Sequence, residues 1–115
     1  MTPIASRGEI WRVDLDPVRG HEQGRVRPAL IISNNIFNHG SIDLVTVVPI
    51  TSKGRPIRSW LRIDPPEGGV SQARFIICDQ VRTISKDRLG KRFGTIRPAT
   101  LAEVERRLRH LLDLH

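Results

Sequence analysis

Three short stretches collect the side chains that can do chemistry. "GHEQGRVRP", residues 20–28, packs His21, Glu22, Gln23, Arg25 and Arg27 around Gly20 and Gly24. The glycines let the backbone turn sharply and approach a ligand closely. His21 can exchange a proton near neutral pH, and Arg27 stands at the base of a predicted strand, which anchors it better than a free loop would. "PITS" sets Thr51 and Ser52 at a strand end with Lys53 and Arg55 just beyond, a grouping of hydroxyls and cations able to hold phosphate. "CDQVRT" brings Asp79, Gln80 and Arg82 beside an apolar strand, where Asp79 reads as a general base or as the group that positions an arginine. Each stretch also has a plainer reading. His21 reads equally as a loop histidine bonded to its neighbours, Arg27 as a salt-bridge partner of Glu22 or Asp14, Thr51 as ordinary turn chemistry, and Asp79 as half of a structural ion pair. One stretch alone decides nothing.

The elements that would position these groups are short strands. "EIWRVDL" alternates, with Trp11, Val13 and Leu15 on one face and Arg12 and Asp14 on the other, although Ile10 breaks the pattern. "PALIIS" reads as a buried strand after Pro28, "NNIFNHG" as a turn or one helical turn, and the β-branched "IDLVTVVPI" as a strong strand. "TSKGRPIR" is a basic loop, "SWLRID" a strand closed by "PPEGG", "ARFIICDQVRTI" a long strand or two meeting at a bend near Asp79, and "RLGKRFGTI" one more short strand. The end differs in kind. "TLAEVERRLRHLLDL" places Glu103 three residues after Thr100, a capping box. Leu101, Val104, Leu108, Leu111 and Leu112 recur at helical spacing, with Arg106, Arg107 and Arg109 mostly opposite, as on a solvated helix face. Five to seven short strands and a terminal helix predict a mainly β fold: a small, strongly curved sheet or barrel with a helix packed on it.

Composition narrows the classes. The 115 residues suit one domain, expected over 1–115, with 38% apolar and 27% charged residues. No apolar run reaches the roughly 20 residues of a membrane span. "MTPIASRGEIW" lacks the apolar core of a signal peptide, so the expectation is a cytoplasmic protein. The single cysteine, Cys78 in "FIIC", excludes an internal disulfide and reads as a buried filler. His21, His39, His110 and His115 lack paired zinc spacings, so no metal and no other cofactor is expected. Nor is there a phosphate-cradling glycine motif or a serine nucleophile elbow. A formal charge of +7, with 19 basic residues of which 16 are arginine, favours a polyanionic partner. Arginine enrichment of that kind also follows from a genome rich in G and C.

In this order, the three stretches resemble the MazF/PemK family of toxin endoribonucleases. The likeness runs over nearly the whole chain: "RGEIWRVDLDPVRGHEQGRVRPALIISN", "VTVVPITS", "CDQVRTISKDRLGKRFGTI" and the terminal helix. It implies an SH3-like barrel of the CcdB/MazF/PemK type, a homodimer, metal-free cleavage of single-stranded RNA, often mRNA, and neutralisation by an acidic MazE-like antitoxin. Arg27 matches the catalytic arginine of the "RP" motif and Thr51 the threonine paired with it. His21 and Asp79 match positions implicated in the Kid/PemK branch. That branch carries an arginine two residues before the aspartate, where this chain has Ile77, so Asp79 is assigned an accessory role. Glu22, Gln23, Gly24, Ser52, Lys53, Gln80 and Arg82 complete the expected accessory or RNA-binding set. The expected reaction is attack of the RNA 2′-hydroxyl on the adjacent phosphorus, leaving 2′,3′-cyclic phosphate and 5′-hydroxyl ends. Two other readings stand beside it: an RNA-binding barrel that does not cut, and a gyrase poison on the same fold.

Overall fold

The computed structural model describes residues 4–16, 20 and 25–115. Its strands are β1 (Glu9–Asp14), β2 (Val26–Ile31), β3 (Leu44–Thr51), β4 (Trp60–Ile63), β5 (Arg74–Ile77), β6 (Arg82–Ser85) and β7 (Leu89–Thr95). Two α-helices accompany them, the single turn α1 (Asn35–Asn38) between β2 and β3 and α2 (Pro98–Leu112) after β7. All strand pairs are antiparallel, in the order β4-β5-β3-β2-β1-β7, with β6 also paired to β3. The chain is mostly β with a terminal helix, as the strand pattern predicts, and is the SH3-like barrel that the family resemblance implies.

The long strand β3 explains the bend of the sheet. Its first half, Leu44 to Val47, pairs with β6, and its end, Ile50 and Thr51, pairs with β5. The gap between these pairings includes Pro49, which has no N–H to offer a ladder. β2 runs along the other edge, Ala29 opposite Pro49. Pro28 lies inside β2 rather than ahead of it. It lies opposite Arg12 of β1, while the β2–β3 register begins at Ala29.

Ile10 departs from simple alternation because both faces of this sheet are buried. Trp11, Val13, Leu15, Ala29, Ile31, Val45 and Val47 enter one core with Ile84 and Leu89. Their sequence neighbours Ile10, Leu30, Val48 and Ile50 enter a second core with Ile63, Ile76, Cys78 and Val104. Helix α2 closes that second core through Val104, with Leu101 and Leu108 at its margin. Burying each Ile or Leu fully is worth about 1.5–3 kcal/mol, so strands with two apolar faces hold firmly what projects from their ends. The bend foreseen near Asp79 is present between β5 and β6, where the Gln80 N–H donates to the Ile77 carbonyl at 3.1 Å.

The start of α2 corrects the expected capping box. The helix begins at Pro98 with Arg97 as its N-cap, and Arg97 makes no side-chain cap bond. Proline fits the first helical position because its fixed φ is helical and its missing N–H would have had no partner. The acceptor comes from elsewhere: the Glu67 carboxylate takes the Arg97 N–H at 3.0 Å and the Arg97 guanidinium at 2.9 Å. Burial pushes the Glu67 carboxyl up, but these bonds and one from Thr100 outweigh it, and its pKa lies below the ordinary value. Glu103 pairs with Arg106 at 3.0 Å and Arg107 at 3.4 Å. The turn that carries Glu67 needs glycine. A Cβ on Gly69, whose φ is +78°, would sit 2.1 Å from the Phe93 carbonyl oxygen.

Candidate active site

The ends of β2 and β3 put Arg27 and Thr51 at one place. The β2–β3 register ends at Ala29–Pro49, and Arg27 and Thr51 both stand two residues beyond it, at the same end of that ladder. Arg27 has the parity of Ala29 and Ile31, and Thr51 that of Val45 and Val47, so both project from the same sheet face. Both line one cleft of about 360 Å³ with Ser52, Lys53, Arg55, Ile57, Trp60, Asp79 and Gln80. Three separate stretches of sequence thus converge on a single surface. Thr51 is 4% exposed, held by its pairing with Phe75 in β5. Its Oγ1 accepts the Lys53 N–H at 3.2 Å, which leaves the hydroxyl proton to donate to something else.

Local geometry fixes the other groups. The Ser59 hydroxyl donates to Asp79 Oδ2 at 2.8 Å, tying the end of the basic loop to the β5–β6 bend. The loop also rests on Phe75: a Cβ added at Gly54 would fall 2.3 Å from that ring, so only glycine allows this approach. Trp60 forms one wall, and its indole Nε1 is buried without a hydrogen-bond partner among the described residues. Among the described residues, the cleft carries the cations Arg27, Lys53 and Arg55 against one carboxylate, Asp79. Ile77, at the position where the Kid-type pattern has arginine, is fully buried and pairs with Trp60. Cys78 is 1% exposed, and burial pushes its thiol up to about 11, so it is no nucleophile.

His21, Glu22, Gln23 and Gly24 lie outside the described residues. The base of their segment is pinned on both sides. The Leu15 N–H donates to the Arg25 carbonyl at 2.8 Å, and the Arg25 N–H to Asp16 Oδ1 at 2.7 Å. Arg25 itself adopts φ +65°. Arg82, expected among the RNA-binding set, is not among the lining residues of the cleft. Its guanidinium donates to the Leu15 carbonyl at 2.9 Å, which buttresses the end of β1. Residue types alone did not point to Ile57 and Ser59. The signal for them is position, since both precede Trp60 on the basic loop.

This arrangement can do one kind of work well. Guanidinium and hydroxyl donors aimed into a common space stabilise negative charge that develops on phosphoryl oxygens.

A family model described as a PemK-like, MazF-like toxin of type II toxin–antitoxin systems matches residues 6–112. The endoribonuclease PemK of Escherichia coli is 41% identical over 108 residues, covering 92% of this chain and 80% of that protein. The endoribonuclease MazF9 of Mycobacterium tuberculosis is 35% identical over 113 residues, covering 94% and 96% respectively. A solved mycobacterial endoribonuclease, in complex with its cognate antitoxin, superposes with a TM-score of 0.79 at 29% identity, covering 96% of this chain and 97% of its own.

Proposed function

Because the chain belongs to the PemK-like, MazF-like toxin family of type II toxin–antitoxin systems, we propose that its cleft is the active site of an endoribonuclease that cuts single-stranded RNA. The observation that carries this reading is the convergence of Arg27 and Thr51 on one cleft from adjacent strand ends. The 2′-hydroxyl attacks the neighbouring phosphorus, the bond to the 5′-oxygen breaks, and the products end in 2′,3′-cyclic phosphate and 5′-hydroxyl. Arg27 donates hydrogen bonds to the phosphorane oxygens, and Thr51 donates one through its hydroxyl to the same group. Arginine holds its proton too tightly to act as the base; His21 takes the proton of the 2′-hydroxyl and returns one to the departing 5′-oxygen. Asp79 keeps an accessory role, orienting the Ser59 end of the basic loop.

The chain's +7 charge supports both the RNA substrate and an acidic antitoxin as partners. Among the described residues no helix is long and apolar enough to cross a membrane. We place the enzyme in the cytoplasm, where mRNA is available. The working form is a homodimer; the exposed Leu112 and Leu114 at the end of α2 support an apolar surface that a second copy would cover.

The test is chemical. Purified protein in excess chelator should convert a long RNA to fragments ending in 2′,3′-cyclic phosphate and 5′-hydroxyl. Intact RNA, or 3′-hydroxyl ends, would refute the reading.

A further inference from the structure

A second cavity, about 640 Å³, adjoins the cleft. Ile57 lines both, and Ser59, which lines the second, hydrogen-bonds to Asp79 in the first. The second cavity lies between the 57–59 segment and the last turns of α2. Its charged and titratable lining among the described residues is Arg58, Arg106, Arg107 and His110, with no aspartate or glutamate. Arg106 is 68% exposed at the side chain, and its partner Glu103 lies one turn back along the helix. Arg107 donates to Glu103 through Nη1, while its Nε is buried with no acceptor among the described residues. Arg109 differs: it pairs with Glu105 at 3.6 Å and does not line the cavity. The arginines of α2 are therefore not one solvated face.

We infer that this basic groove is a second subsite for RNA, holding backbone phosphates that flank the scissile one as the strand leaves the cleft over Ile57 and Ser59. The inference rests on the nuclease reading and extends it beyond the cleft. Single-stranded nucleic acid follows continuous cationic grooves, and here the cations run from Lys53 and Arg55 through Arg58 to Arg106 and Arg107. Cleavage itself needs only the first cavity. The second adds affinity for longer substrates, independent of their sequence.

The test compares wild type with the Arg58→Gln/Arg106→Gln double variant, both exposed positions. Binding is measured by fluorescence anisotropy on mixed-sequence 2′-O-methyl RNA of about four and about twelve nucleotides, lengths that bracket one small-barrel site. The methyl group blocks the attacking hydroxyl, so binding is read apart from cutting. The longer RNA should bind the variant at least roughly fivefold more weakly at low salt, with a log-affinity against log-salt slope shallower by about 1.4, from about 0.7 per lost phosphate contact. The shorter RNA should lose much less. Equal losses on both lengths, or an unchanged slope, overturn the subsite. So does a loss seen only with an acidic antitoxin peptide, which would make the groove a protein-docking surface. Cleavage of unmodified RNA by the wild type, run in parallel, reports on the nuclease reading separately.

Discussion

A guanidinium can hold a phosphate or clamp a backbone carbonyl, and the proposed active site asks the first task of Arg27. Arg27 lines the cleft, whereas Arg82, in a stretch that reads just as suggestively, is committed to the Leu15 carbonyl. Residue type could not separate them; only strand register and the direction of each side chain do. Cys78 was legible as filler because its neighbours are apolar, and its raised thiol pKa follows from the same burial. That gives a direct expectation. At pH 7 a thiol reagent should label native protein far more slowly than urea-unfolded protein, and Cys78→Ala should keep wild-type cleavage. Rapid labelling of the folded chain would show that the thiol is reachable.

At the scale of elements, the strands were readable from their apolar periodicity, and the bend at Asp79 from the polar break after "FIIC". What stayed hidden depended on long-range contact. Ile10 reads as a break until the second buried face is known, and the α2 cap comes from Glu67, 30 residues from Arg97. Because the folded Glu67 carboxyl titrates below its ordinary value, its contribution is full above the ordinary carboxylate pKa and is lost as pH falls through the folded value. Glu67→Gln should cost on the order of 1 kcal/mol at pH 7, as for loss of a helix cap. It should also flatten the fall in stability between neutral pH and about pH 3. Urea unfolding across that range checks it; parallel curves for variant and wild type would remove Glu67 from the account.

At the scale of the whole molecule, the sheet's bend around β3 lets sequence-distant stretches meet. β2 begins, β3 ends and β5 turns toward β6 at the same side of the barrel, and the basic loop and the end of α2 border that side. Excess positive charge gives the surface a field that gathers polyanions, while the two apolar cores hold the cleft walls rigid. Family membership, fold and cleft therefore bear on one claim, that Arg27 and Thr51 act together on a single phosphodiester. A double-mutant cycle on the single-turnover cleavage rate tests it most directly. Arg27→Ala should slow the reaction by two to three orders of magnitude, matching the ~2.7–4 kcal/mol of one lost donor to a developing oxyanion. Thr51→Val should lose a comparable factor, and the double variant much less than the product of the two, as for groups that serve one transition state. Strictly multiplicative losses, or an Arg27→Ala protein that cuts at the wild-type rate, would contradict it.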